Sequence, residues 1–117
     1  MDTRTKIVSN ADARAAATAS LIVSGYFDPM TKEHAERLQA LKQQGRALMV
    51  LIATPANPIL PARARAELIA GLACVDQVTE IGGAYPDGLT PHVQLETEDA
   101  ERLAQLIEHV RARQQAG

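Results

Sequence analysis

The chain has 117 residues, of which 46% are hydrophobic, 22% are charged and 3% are aromatic. This length favours one small domain and excludes a multidomain enzyme, and the balance of residue types excludes a disordered or low-complexity chain. Twelve Lys and Arg against fourteen Asp and Glu leave a formal net charge of −2, which disfavours bulk nucleic-acid binding but is compatible with a small phosphorylated ligand.

The chain begins with a polar segment that gives way to an apolar run. Residues 1–18 lack a sustained apolar stripe and are predicted to be a tail or a loosely attached helix, so the domain is assigned to residues 19–117. The β-branched run Leu21–Val23, which ends at Gly25, is typical of a strand buried on both faces.

A helix and a second strand are predicted next. Thr31 is a suitable N-cap for a helix over about Lys32–Gln44, which Gly45 would end. The continuous apolar run Ala47–Ala53 predicts another strand buried on both faces. Two parallel strands joined by a helix make a right-handed βαβ unit.

The next segments repeat this alternation. Pro61 is well placed in the first turn of a helix that continues to about Leu72, and Val75–Ile81 predicts a third strand. Gly82–Gly88 has the composition of a turn, and His92–Leu95 predicts a fourth strand.

The last element is predicted to be an amphipathic helix. Thr97 is its expected N-cap, and four apolar residues recur at helical spacing on one face, namely Leu103, Leu106, Ile107 and Val110. Since strands and helices alternate throughout, the predicted class is α/β, a Rossmann-like three-layer α/β/α fold with a mostly parallel sheet.

Cysteine usage and hydropathy favour a cytoplasmic protein. The single cysteine, Cys74, cannot form an internal disulfide, and no Cys/His cluster suggests a metal site. The longest apolar stretch is too short to cross a membrane, and the N-terminus lacks the apolar core of a signal peptide. We therefore expect no membrane and no nucleic acid among its partners.

The loop after the first strand is the first place to look for a ligand site. Ligands of open parallel sheets bind beyond the carboxyl ends of the strands. Gly25 would let backbone approach a ligand, and the helix that follows offers free N–H groups to a phosphate. Lys32 and His34 lie in the first turn of this helix, where positive charge opposes the helix dipole. A functional role would explain why such residues stand at these positions.

Two segments carry a resemblance to a known family. The stretch Gly25-Tyr26-Phe27-Asp28-x-x-Thr31-x-Glu33-His34 resembles the G-x-F-D-x-x-H-x-G-H signature of cytidylyltransferase-like nucleotidyltransferases. Arg65 to Leu72 with Val75 and Asp76 is similar to that family's E-R-x-x-x-L-x-x-L-x-x-V-D segment. The family includes glycerol-3-phosphate cytidylyltransferase and heptose-phosphate adenylyltransferase, and the resemblance covers roughly residues 21–81.

The resemblance implies an activity and a set of site residues. Family members transfer a nucleotidyl group from CTP or ATP to a phosphorylated small alcohol or sugar and release pyrophosphate, usually with Mg²⁺. CTP or ATP, possibly Mg²⁺ and a small phosphorylated molecule are therefore the expected ligands. The candidate catalytic residues are Thr31, Lys32 and His34, and the candidate nucleotide-binding residues are Gly25, Tyr26, Phe27, Asp28 and Arg65.

Each of these residues also has an ordinary structural interpretation. His34 and Lys32 could be surface residues of a first helical turn, and Asp28 could be a turn or capping residue because it precedes a proline. Arg65 could be an exposed helical side chain rather than a phosphate ligand at the rim of the sheet.

Two departures from the signature bear on catalysis. Thr31 stands where the family has its first histidine and cannot become cationic, and Glu33 adds negative charge where phosphates would approach. We therefore expect a nucleotidyltransferase-like domain that binds nucleotide or a phosphorylated ligand with weak or no turnover. The alternatives are an active transferase, in which Lys32 or Arg65 supplies the missing charge, and a structural or partner-binding module that retains only the fold.

The small core also bears on assembly. A short chain whose core is built from Ala, Leu and Ile gains stability when it buries more surface. A homodimer is therefore a plausible assembly of this chain.

Overall fold

A computed structural model of the chain describes residues 2–43 and 45–116, with side chains except those of residues 102, 103 and 114–116. The strands are β1 (Ser20–Gly25), β2 (Ala47–Ile52), β3 (Gln77–Glu80) and β4 (Val93–Gln94). The α-helices are α1 (Asn10–Ala16), α2 (Lys32–Lys42), α3 (Ala62–Ala70) and α4 (Leu95–Ala116), and two short 3-10 turns cover Thr3–Lys6 and Ala17–Ala19.

The four strands form one sheet in the order β3-β2-β1-β4, and every pairing is parallel. All six residues of β1 and the last five of β2 are buried, as the apolar runs predict for strands covered on both faces. The chain therefore has the predicted α/β Rossmann-like fold, with a sheet that is parallel throughout.

Alternating strand residues build a core on each side of the sheet. On one side, Val23 and Val50 pack with Leu38 of α2 and Ile69 of α3. On the other side, Ile22, Met49 and Leu51 pack with Ala13 of α1. The two successive right-handed crossovers place α2 and α3 on the same face, which leaves the second face to α1.

The helix after β1 forms as its cap predicts. Thr31 accepts the His34 N–H with its side chain, and the His34 ring accepts the Thr31 N–H in return, which makes a reciprocal capping box. The helix ends at Lys42 and is followed by Gly45 in a left-handed conformation (φ 84°). The predicted end of this helix, Gln44, lies outside the described residues.

The N-terminal segment differs from the predicted tail because it packs against the sheet. Ile7 pairs in parallel with Val78, and the Val8 N–H donates to the Val78 carbonyl at 2.8 Å, which covers the exposed edge of β3. Ala13 of α1 is fully buried. Its small side chain produces no apolar stripe, so the sequence pattern conceals a helix that packs closely against the sheet through alanine.

The last helix also differs from its prediction at both ends. It begins at Leu95, directly after β4, so that Thr97 lies inside the helix and does not cap it. The buried Leu95 anchors this first turn. Beyond it, residues 104–113 are exposed, and Leu106, Ile107 and Val110 of the predicted apolar face are uncovered; the side chain of Leu103 lies outside the described set.

Candidate functional site

The carboxyl ends of the strands meet at one edge of the sheet. From β1 the chain crosses to β2 on one side, while β4 pairs with β1 on the other, so the connections diverge between β1 and β4. Parallel α/β sheets bind ligands at such a switch point, outside the strand ends. The loop after β1, the loop after β2 and the start of α4 all reach this edge.

A cavity of about 140 Å³ lies at this edge of the sheet. Both tyrosines of the chain, Tyr26 and Tyr85, line it with exposed fractions of 37% and 40%. Gly82 and Gly83 on its wall are exposed, and a Cβ added at either position would meet no atom within 4 Å. The remaining lining residues are Ala53, Thr54, Ile81, Ala84 and Glu96.

Glu96 is the charged residue among those lining the cavity. Its Oε1 accepts a hydrogen bond from the Ser24 hydroxyl at 2.8 Å and another from the Tyr85 hydroxyl. Its Oε2 is shielded from solvent and has no hydrogen-bond partner. The carboxylate therefore places negative charge beside the cavity, while two hydroxyl donors from the chain occupy its Oε1.

The environment of Tyr85 keeps its phenol protonated. Burial raises the pKa of Tyr85, and the hydrogen bond to Glu96 raises it further. Tyr85 therefore remains the donor in the Glu96 contact, and Ser24, which is fully buried at the end of β1, lies 3.2 Å from its hydroxyl.

His34 is held by contacts within the chain. Its Nδ1 accepts the Thr31 N–H at 3.0 Å, which assigns the ring proton to Nε2, and Nε2 lies 2.8 Å from the Asp99 carboxylate in α4. The residue is only 9% exposed. The imidazole thus joins the start of α2 to the first turns of α4, and both of its nitrogens are occupied.

The other two candidate catalytic residues lie apart from the cavity. Thr31 is the N-cap of α2, where its hydroxyl accepts the His34 N–H. Lys32 has an 85% exposed side chain and pairs with Glu36 at 3.7 Å, one helical turn away. This is the solvated surface pair that helical spacing alone would produce.

Gly25 and Phe27 serve the packing of the loop after β1. Phe27 is buried, has a positive φ of 49° and meets the His34 ring edge-to-face at 5.2 Å. A Cβ on Gly25 would lie 2.7 Å from the Phe27 ring. Glycine is therefore required here by the phenyl ring, independently of any ligand.

Asp28 and Arg65 bind backbone groups of neighbouring loops, and their contacts to nucleotide stay a prediction. The Asp28 carboxylate accepts the N–H groups of Ile59 and Leu60 at 2.6 and 2.7 Å. Arg65 is buried, and its guanidinium donates to the carbonyls of Tyr26, Ala53 and Leu60 at 2.6–3.1 Å. Together they fasten the loop after β2 to the loop after β1 and support the wall of the cavity.

Among the described residues, no group of three or more His, Cys, Asp or Glu side chains could hold a metal ion. None of the described helices has the length and apolar character needed to cross a membrane.

Three connected residues are not indicated by the sequence motifs, namely Tyr85 and Glu96, which line the cavity, and Ser24, which contacts both of them. Ser24 is a polar residue inside an otherwise apolar buried strand, which is a signal that its hydroxyl has a partner. Tyr85 stands in a segment interpreted only as a turn, and its pairing with Glu96 requires the tertiary structure.

A comparison with protein-family models gives no match for this chain, and a comparison with curated proteins gives none either.

Proposed function

We propose that this chain is a nucleotidyltransferase-like domain that binds the nucleoside end of a nucleotide and does not transfer the nucleotidyl group. The single observation that carries the proposal is the engagement of His34, whose two ring nitrogens are bound by Thr31 and Asp99. A histidine held in this way has no nitrogen left to offer to a triphosphate.

The absence of turnover is further supported by the other candidate residues. Nucleotidyl transfer needs positive charge where negative charge develops on the reacting phosphate. Arg65 directs its N–H groups at three carbonyls, and Lys32 is paired with Glu36 in solvent. Glu96 places a carboxylate at the cavity instead, which repels a phosphate.

The retention of binding is supported by the cavity itself. Two partly exposed tyrosine rings offer flat surfaces on which a base can stack, and the negative charge of Glu96 at the cavity wall favours an approaching amino group. At about 140 Å³ the cavity is smaller than the roughly 300 Å³ at which pockets for whole ligands begin. It would therefore hold one ring of a nucleoside and leave the phosphates outside.

Calorimetric titration tests this function. Cytidine, adenosine, CTP and ATP are titrated up to millimolar concentrations, the nucleotides with Mg²⁺. We expect a nucleoside and its triphosphate to bind with affinities within about threefold of each other, because the phosphates make no contact. Glu96→Gln should weaken binding about tenfold, because the negative charge that attracts an amino group is lost. Glu101→Gln, on the exposed part of the same helix, is the matched control and should bind as the wild type does.

Three outcomes decide the proposal. Pyrophosphate release from CTP or ATP with a small phosphate ester, abolished by His34→Ala, would contradict the absence of turnover and favour an active transferase. Binding of CTP without binding of cytidine would place the affinity on the phosphates and contradict the assigned cavity. The absence of heat with every nucleoside and nucleotide would favour a partner-binding module that retains only the fold.

A further inference from the structure

The segment of residues 82–87 forms part of the cavity wall and is anchored at its two ends. It runs from the buried Ile81, which follows β3, to the buried Leu89. Gly82 and Gly83 at its start are exposed, and a Cβ added at either position would meet no atom within 4 Å. Packing therefore does not restrain the backbone at these two glycines, which also have the widest choice of backbone angles.

The Tyr85 hydroxyl joins the middle of this segment to the body of the domain. It donates to Glu96 Oε1 in α4 and lies 3.2 Å from the Ser24 hydroxyl at the end of β1. Within the described part of the chain, the other hydrogen bond of the segment is a local turn bond from the Leu89 N–H to the Pro86 carbonyl. One hydroxyl group therefore provides the polar attachment of the segment to the sheet and to α4.

This attachment is of a kind that breaks easily. Tyr85 is 40% exposed, so water can replace the hydrogen bonds that its hydroxyl makes. Loops with few buried contacts open locally at a free energy far below that of global unfolding. Because residues 82–85 line the cavity of about 140 Å³, their displacement would enlarge its mouth.

We propose that residues 82–87 form a lid over the cavity, and that the Tyr85 hydroxyl keeps this lid closed through Glu96 and Ser24. Gly82 and Gly83 form the hinge on the β3 side, since hinge residues must absorb the change in backbone angles when a lid opens. The inference does not depend on the proposed nucleotide, because the lid is tested without any ligand.

Backbone amide NMR relaxation on the full chain tests the closing contact. We expect Gly83 and Ala84 to have order parameters of about 0.85 in the wild type and below about 0.6 in Tyr85→Phe, which removes only the hydroxyl. Tyr26→Phe is the matched control. It removes the other phenol hydroxyl at the cavity, which has no hydrogen-bond partner among the described residues, and should leave both order parameters unchanged. Equal order parameters in the wild type and Tyr85→Phe would overturn the proposal.

Thiol modification of Ala53→Cys in a Cys74→Ser background tests whether the lid controls access. Ala53 lines the cavity and is only 8% exposed, so a thiol there should react with a methanethiosulfonate reagent mainly when the lid is open. We expect Tyr85→Phe to raise the reaction rate about tenfold or more, the effect of about 1.4 kcal/mol on the opening equilibrium. A thiol at the exposed Gln105→Cys should react equally fast with and without Tyr85→Phe. A rate at position 53 that Tyr85→Phe does not change would also overturn the proposal.

Discussion

Arg65 is the largest fully buried side chain of the domain, and its guanidinium bonds to three carbonyls decide how two loops are joined. A buried cation is tolerated when its N–H groups find acceptors, and here backbone supplies them. In turn, the carbonyl oxygens of Tyr26, Ala53 and Leu60 each accept a hydrogen bond from this one side chain. The residue thus contributes to the site by positioning its walls.

Arg65→Leu should lower the free energy of unfolding by roughly 3 kcal/mol or more, because it leaves buried carbonyls without donors. Urea unfolding followed by circular dichroism measures the change. The control is Arg63→Leu, which removes an exposed pair with Glu67 and should cost less than about 1 kcal/mol. Equal losses in the two variants would contradict the structural role of Arg65.

Tyr85 gives the cavity a measurable titration. Burial and the Glu96 hydrogen bond raise its pKa, so its phenol should ionise above the ordinary value of about 10. The ultraviolet difference between the wild type and Tyr85→Phe isolates this ionisation. Glu96→Gln should move the midpoint downward, since the substitution removes both the carboxylate acceptor and its negative charge.

The raised pKa of Tyr85 also predicts how the free energy of unfolding changes with pH. Because the folded pKa lies above the unfolded one, the contribution of Tyr85 is complete below about pH 10 and is lost as the pH rises toward the folded value. Unfolding midpoints of the wild type should therefore fall more steeply with alkaline pH than those of Tyr85→Phe. Parallel curves for the two proteins would contradict the buried phenol–carboxylate contact.

At the scale of single elements, the loop between β1 and α2 is determined by packing inside the chain. Gly25, Phe27 and His34 form one contact series, in which the ring of Phe27 fills the space that glycine leaves and meets the imidazole. The Thr31 and His34 capping box then fixes where α2 begins. Residues that look like a phosphate-binding signature in the sequence are thus accounted for by the local geometry of this turn.

Gly25→Ala should destabilise the domain by about 1–3 kcal/mol, the usual effect of an extra methyl group in a filled core. A Cβ at this position lies 2.7 Å from the Phe27 ring, so the ring must move. Gly82→Ala is the matched control, since open space surrounds it and its effect should stay within about 0.5 kcal/mol. Thermal unfolding of both variants measures the difference.

The sequence predicts elements better than it predicts contacts between them. The strands around Leu21–Val23 and Ala47–Ala53 were placed correctly, because a continuous apolar run leaves few alternatives to a strand buried on both faces. The cap Thr97 was placed wrongly, since α4 starts at Leu95 as a direct continuation of β4. A buried leucine in the first turn outweighs a favourable capping residue two positions later.

At the scale of the whole molecule, the N-terminal segment completes the sheet. Ile7 and Val8 pair with Val78 at the edge of β3, while Ala13 covers the second face. Without them, one edge and part of one face of the sheet would be exposed to water.

Removal of residues 1–16 should therefore prevent stable folding or lower the unfolding midpoint by more than about 10 °C, at about 4–8 °C per kcal/mol for a domain of this size. Removal of residues 104–117 is the control, because the described side chains from 104 to 113 are exposed. That truncation should leave the midpoint almost unchanged. A folded, equally stable N-terminal truncation would contradict the packing of α1.

The class of fold can be predicted from local sequence patterns, because the period and length of apolar runs select strands and helices locally. The sequence also indicated the strand end at Gly25 as the region of interest. What the polar residues there do also depends on distant contacts, since His34 meets Asp99, Arg65 meets Tyr26 and Ser24 meets Glu96, which lie 65, 39 and 72 positions away in the chain. Hydrogen-bond partners at such separations are set by how strands and helices assemble, and no local pattern encodes them.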